Sequence, residues 1–318
     1  HMAIIETPDD AYIQIDRFRD KLCVYPGWMP QKGQFGYTHR IRYVFLDRGG
    51  HVAIAKRYRT YVKTIGLFKT LEQKRNENPN VDLLIGAVNI WSYENPLVVI
   101  PEMKSAGIDR ILWSGPMDAG PQVAIREMNE MGVLTSRYDI YQDVMNPENF
   151  RFLTAIHPCW PNEAWPKDVV IGPDGDWIRG WAVKGKDGQW YHCGVLSDTR
   201  ALKYAESRIS DELKAYPYRA RFVDATTASP WLEDYSPDHP MTRTESRHFR
   251  TELLRFVSQD MRLVTGSETG HDAAVPYVHY FEGMLSLVPY RAPDSGHNLF
   301  PVREEAPELV AKFQVGYQ

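Results

Sequence analysis

Arg221-Phe222-Val223-Asp224-Ala225-Thr226-Thr227 and Arg262-Leu263-Val264-Thr265-Gly266-Ser267-Glu268-Thr269-Gly270 each run a few apolar residues into a carboxylate. A short apolar run bounded by turn signals reads as a parallel strand buried on both faces. In α/β barrels the C-terminal rim of such strands is where neighbouring strands deliver catalytic groups. Asp224 and Glu268 stand 44 residues apart, a suitable length for one step of strand, loop, helix and strand. They are therefore expected on adjacent strands. Two carboxyl groups at such a rim are the usual equipment for cutting a glycosidic bond, and neighbouring strands suit the roughly 5–5.5 Å separation of a retaining enzyme. The competing reading is structural, with either acid capping a helix or pairing with Arg243, Arg247 or Arg262.

Working outward, alternating helices and strands surround the two motifs. Residues 81–91 read as a first buried strand, 110–114 as a second and 133–139 as a third, with helices near 67–76, 96–106 and 122–131. This rhythm predicts a parallel sheet with right-handed crossovers. A helix is expected from Asp198 to about residue 215. Another is expected over 242–261, opened by Thr242-Arg243-Thr244-Glu245, which has capping-box spacing. Residues 284–288 read as a sixth strand and 304–314 as a last helix. Between 143 and 197 lies an interruption rich in Pro, Trp and Gly, in which 177–183 and 189–195 flank Lys184-Gly185-Lys186-Asp187-Gly188 and read as a β-hairpin. Residues 1–50 alternate in β fashion before a helix over 51–65. The fold class is therefore α/β, a (β/α)8 barrel of the TIM type preceded by a small β-rich segment. The expected division is 1–66 for that segment with its linking helix and 67–318 for the barrel, with the hairpin inserted near 176–195. Only five or six strands are countable, against the eight of a closed barrel.

Composition excludes several functions. With 37 basic and 41 acidic residues the net charge is -4, so no long-range attraction draws in nucleic acid or an anionic membrane. No apolar run approaches the roughly 18 residues that span a bilayer. The N-terminus lacks signal-peptide character, and His1-Met2 looks like a cloning remnant, which leaves secreted and cytoplasmic locations both open. The three cysteines have no CxxC spacing. His157-Pro158-Cys159 and His192-Cys193 read as buried thiols and hydrogen-bonded histidines rather than ligands, and His271-Asp272 with His279 lacks the one-turn helical spacing of zinc hydrolases. No metal and no cofactor is expected. Nine Trp and eighteen Tyr favour carbohydrate as the partner, because sugar rings stack on aromatic faces. The oligomeric state is left open.

Residues at the ends of the expected strands complete the candidate site. Asn89 and Trp91 close the first strand, Trp113 the second, and Arg137 and Asp139 the third. Trp231, Glu233, Asp234 and His239 occupy the loop after Asp224, with Arg243 beyond it and His271 after the Glu268 strand. Each has an ordinary reading as a satisfied loop or rim residue.

The stretch from Phe222 through Trp231, Glu233-Asp234-Tyr235, His239-Pro240 and Thr242-Arg243 to Gly266-Ser267-Glu268-Thr269-Gly270 resembles the barrel glycosidases related to glycoside hydrolase family 101, the endo-α-N-acetylgalactosaminidases, and the uncharacterised bacterial families beside them. The likeness spans about residues 67–290, with specificity concentrated in the two strand motifs. It implies a β-sandwich ahead of a (β/α)8 barrel, a retaining mechanism, an Asp nucleophile at the end of the fourth strand and a Glu acid/base on the next. On this chain those are Asp224 and Glu268. Where the family's nucleophile motif commonly continues into an aromatic and a glycine, this chain has Ala225-Thr226-Thr227. Residues 1–50 then read as the tail of a sandwich, and the chain as a piece of a longer enzyme. The expected activity is retaining cleavage of α-linked, galacto-configured glycosides. The alternative is a non-catalytic carbohydrate-binding or assembly module built on a partial barrel.

Overall fold

The computed structural model of the protein describes residues 1–115 and 121–282. The chain divides into two compact units, one made of residues 1–70, 142–207 and 230–253, the other of 71–141, 208–229 and the residues from 254 on.

The first unit opens with β1 (Met2–Ile5), β2 (Ala11–Phe18), β3 (Lys21–Trp28) and β4 (Ile41–Val44), followed by α1 (Gly50–Thr64). β1 pairs with β4 and β2 with β3, both antiparallel, as the alternating pattern of the first fifty residues implies.

The second unit begins with α2 (Leu71–Glu77) and α3 (Val81–Leu84), then alternates β5 (Val88–Ile90), α4 (Pro96–Ser105), β6 (Ile111–Trp113), α5 (Gln122–Glu130) and β7 (Leu134–Ile140). The expected first strand over 81–91 is corrected here. Its apolar half is a short helix, and only Val88–Ile90 is strand. Four apolar residues are equally at home in a buried helix turn, and periodicity does not separate the two in so short a run. α4 starts where its sequence says it should, with the Asn95 side chain accepting from the Leu97 N–H at 3.1 Å and Pro96 in the first turn.

β8 (Asp143–Val144), β9 (Arg179–Lys184) and β10 (Trp190–Val195) return the chain to the first unit as an antiparallel sheet in the order β8-β10-β9. β9 and β10 are the expected hairpin. Its turn is held by the Asp187 carboxylate accepting from the Gln189 N–H at 3.0 Å and by Gly185 N–H to Gln189 O at 2.7 Å.

α6 (Asp198–Ala215), β11 (Ala220–Asp224), α7 (Arg243–Arg255), β12 (Val264–Glu268) and β13 (Tyr280–Glu282) complete the described elements. α7 opens on the capping box: Thr242 N–H donates to Glu245 at 2.8 Å and Glu245 N–H to the Thr242 hydroxyl at 3.3 Å. Its α-helical hydrogen bonding ends at Arg255, and residues Phe256–Asp260 continue as a π-helical turn.

β5, β6, β7, β11, β12 and β13 form one six-stranded sheet in chain order, every pair parallel. The sixth strand is thus Tyr280–Glu282. Residues 284–288 and 304–314, expected as strand and helix, lie outside the described residues. Its four inner strands, β6, β7, β11 and β12, are buried on both sides, as a parallel sheet requires. Ile111 and Trp113 pack outward with Ile100 of α4 and Ile125 and Met128 of α5, while Leu112, Leu134, Ala220 and Val264 pack on the opposite face with Val81 of α3. Strand alternation alone separates Trp113 from its neighbour Leu112.

Candidate active site

The site is built at the C-terminal ends of β11, β12 and β13, wholly within the second unit. Register sets its geometry. Val223 pairs with Ser267 and Glu268 with Glu282, so Asp224, Glu268 and Glu282 end three neighbouring strands at the same height. Residues two apart share a face, which puts Phe222 with Asp224, Gly266 with Glu268, and Tyr280 with Glu282. Asp224 closes the fourth strand of the sheet, Glu268 the fifth and Glu282 the sixth.

Below the acids lies an aromatic floor. Trp91 meets Phe222 edge-on at 5.5 Å and Tyr138 at 6.1 Å, and Phe222 also neighbours Tyr138 and Tyr280. Gly266 is required here, because a Cβ at this position would lie 2.2 Å from the Tyr280 ring. Trp91 remains 44% exposed, so part of its indole is free to meet a ligand.

The backbone turns sharply just beyond two of the acids. Ala225 and Thr269, the residues after Asp224 and Glu268, both have left-handed φ values, 57° and 60°. Such conformations are strained for residues with a Cβ. Cross-ties hold the strand ends in place. The Thr227 hydroxyl donates to the Glu268 carbonyl, the Thr269 N–H to the Glu282 carbonyl at 2.6 Å, and the Ser267 hydroxyl to the Val223 carbonyl at 2.6 Å.

Each acid has a distinct environment. The Tyr138 hydroxyl donates to Asp224 Oδ2 at 2.6 Å. Glu268 is half-buried, and burial first, then the charge of Asp224, raise its pKa above the ordinary carboxylate range. Glu282 accepts from the Asn89 amide on Oε1 and from the Trp91 indole N–H on Oε2 at 3.0 Å. Burial pushes the Glu282 pKa up to about 7; the two hydrogen bonds work against that rise, and the charges of Asp224 and Glu268 add to it. None of the three acids makes an ion pair among the described residues.

Several expected site residues lie elsewhere. Trp113 is 3% exposed inside the outer core cluster, not on the rim. Arg137 and Asp139 flank Tyr138 on β7, so both point to the outer face. There Arg137 pairs with Glu212 at 2.8 Å, while Asp139 pairs with Arg208 at 2.6 Å and with the fully buried Arg221 at 2.9 Å. Burial raises the Asp139 pKa, and the two guanidiniums with the Tyr141 hydroxyl outweigh it, leaving the carboxyl below its ordinary value.

Trp231, Glu233, Asp234, His239 and Arg243 belong to the first unit. His239 uses both ring nitrogens, one at 2.7 Å from Asp234 and the other at 2.8 Å from the Lys167 carbonyl. Asp234 also accepts from the Ile171 and Ser236 N–H groups. Arg243 pairs with Asp10 at 2.8 Å and Glu233 at 3.3 Å, and Trp231 stacks beneath Arg250 at 5.3 Å. His271 follows the Glu268 turn in the second unit, just before a 3-10 turn at Asp272–Ala274. Among the described residues no group of three or more His, Cys, Asp or Glu is arranged to hold a metal ion.

Sequence patterning alone does not point to Glu282 or Tyr138. Tyr280-Phe281-Glu282-Gly283 repeats in miniature the pattern of the other two motifs, an apolar stretch ending on a carboxylate and then a turn residue. Tyr138 is the inward-facing residue between Arg137 and Asp139.

A rim of neighbouring carboxylates on a parallel sheet is compatible with the class of glycosyl hydrolases. A family model described as glycosyl hydrolases related to GH101 family, GH129, matches residues 102–295, more than half of the chain, and the chain belongs to that family. Among solved structures it is similar to the α-N-acetylgalactosaminidase NagBb from Bifidobacterium bifidum. The GalNAc complex of that protein matches with TM-score 0.73 and 22% identity, over 88% of this chain and 50% of the other. Its Gal-NHAc-DNJ complex matches with TM-score 0.75 and 22% identity, over 92% and 52%. This chain spans about half the length of those structures. No curated protein matches it. No helix among the described residues is long and apolar enough to cross a membrane.

Proposed function

We propose that the chain acts as a retaining glycosidase on α-linked, galacto-configured sugars. Asp224 attacks the anomeric carbon, its oxygen forming the new bond to that carbon as the glycosidic bond breaks. Glu268 gives its proton to the departing oxygen, then takes one from the water that releases the sugar. The observation that carries this reading is the level pairing of β11 with β12. Adjacent strands lie about 4.8 Å apart, which supports a carboxyl separation near the roughly 5–5.5 Å of retaining enzymes. The raised pKa of Glu268 favours the protonated form that a general acid needs. Family membership supports glycoside cleavage, and the GalNAc complex of the similar structure supports a galacto-configured sugar. Trp91 offers its exposed ring to the apolar face of that sugar.

In this reading the six strands are the first six of a (β/α)8 barrel. Residues 67–318 are then the catalytic part, with the hairpin near 176–195 inserted and residues 1–66 ahead of it. Incubation with a panel of nitrophenyl α- and β-glycosides tests the assignment. Release is expected from an α-galactoside or α-N-acetylgalactosaminide, falling roughly 10⁴-fold in Asp224→Asn and in Glu268→Gln. Near-normal turnover in either variant rejects the roles. Saturable sugar binding with no product from any substrate favours the binding module instead.

A further inference from the structure

Glu282 is the one acid of the rim that the proposed mechanism leaves without a task. Its two oxygens are each taken by a different donor, the Asn89 amide and the Trp91 indole N–H. The Ser114 hydroxyl donates to Asn89 Oδ1 at 2.8 Å, which turns the amide so that its NH₂ faces Glu282. At the other end, the Thr269 N–H donates to the Glu282 carbonyl, tying the root of the side chain to the residue after Glu268. An acceptor-only group with two oxygens is what this arrangement needs; a neutral amide of the same size would turn its own NH₂ toward one of the two donors. Burying a third acid beside two others raises its pKa and costs stability, which a purely structural role would not require.

We propose that Glu282 is a positioning residue of the sugar site: it fixes the half-exposed Trp91 indole in a single orientation over Phe222 and Tyr138, so that the ring meets the sugar beside Glu268. This rests on the glycosidase reading of Asp224 and Glu268. Among the described residues, the ring contacts of Trp91 on the floor are edge-on, to Phe222 and Tyr138. The hydrogen bond to Glu282 selects one rotamer. With both oxygens already engaged, Glu282 is poorly placed to pass a proton to a leaving group, which separates its role from that of Glu268.

The test measures kcat and KM for Glu282→Gln, Trp91→Phe and the double variant on the nitrophenyl glycoside that the unmodified chain cleaves. Trp91→Phe keeps a ring and loses the N–H. Each single variant is expected to raise KM about tenfold, the scale of one lost hydrogen bond to a charged group, with kcat changed less than KM. The double variant should be no worse than the poorer single, because both break one arrangement. Ser114→Ala, which frees the Asn89 amide, should give a smaller rise in KM and serves if Glu282→Gln fails to fold. Unchanged KM in Trp91→Phe, or effects that multiply in the double variant, overturn the proposal. If the unmodified chain cleaves no glycoside and binds no monosaccharide, the glycosidase reading fails and this one with it. If Glu268→Gln abolishes turnover while the Glu282 and Trp91 variants keep their KM, only this proposal falls.

Discussion

The two faces of β7 and β11 carry opposite electrostatics on alternating residues of the same strands. Outward, Arg221 is fully buried between Asp139 and Glu212, and Arg137 and Arg208 complete a network in which every carboxylate is paired with two guanidiniums. Inward, three residues beyond Arg221, Asp224 faces Glu268 and Glu282 with hydrogen-bond donors but no cation among the described residues. Buried charges that are paired hold structure together, whereas like charges crowded at one rim cost free energy and shift one another's protonation. The lesson is that period two, not proximity in sequence, decides which charged residue is structural and which is chemical.

Neutralising the inner face should give the largest effect. Asp224→Asn should lower kcat roughly 10⁴-fold while the urea midpoint stays near its original value, as single-turnover and denaturation measurements on one preparation would show. Arg221→Ala on the outer face should do the reverse. It leaves Asp139 and Glu212 buried without their shared partner and should cost about 3–5 kcal/mol of stability, read from urea denaturation. Glu282→Gln gives a smaller, pH-dependent effect. Glu282 binds its proton more tightly in the folded chain, so native stability falls as pH rises from about 4.5 to about 7, by up to roughly 3 kcal/mol. The variant lacks that loss. Its stability relative to the unmodified chain should therefore improve between pH 4.5 and pH 8, and a flat difference across that range would remove Glu282 as the titrating group. The smallest effect is expected at the turns. Ala225→Gly and Thr269→Gly relieve left-handed strain and should each raise stability by about 1 kcal/mol, measurable as a shift in denaturation midpoint.

Much of this fold was legible because its signals are local. The capping box at Thr242, the hairpin around Asp187 and the apolar runs into Asp224 and Glu268 each declare themselves within a few residues. What was not legible depends on partners distant in sequence. The run beginning at Val81 is apolar whether it folds as strand or helix, and it becomes a helix turn packed on Leu112, Leu134 and Val264. The three-residue strand of Glu282 has too few residues for a pattern and exists through its pairing with β12. Trp113, Arg137 and Asp139 lie near strand ends, but parity sends them to the outer face. Arg221 on β11 carries the charge that complements Asp139, and Glu212 on α6 the one that complements Arg137, which makes both structural.

In the proposed mechanism Asp224 forms the bond to the anomeric carbon and Glu268 moves the proton. Azide rescue distinguishes the two by product stereochemistry. With the nucleophile removed in Asp224→Gly, azide displaces the leaving group of a nitrophenyl α-glycoside in one inverting step, so NMR should find the β-glycosyl azide. With the acid/base removed in Glu268→Ala, azide attacks the covalent intermediate in a second inversion, and the α-glycosyl azide is expected. An α-azide from Asp224→Gly, or no rescue there alongside normal turnover, would contradict the account.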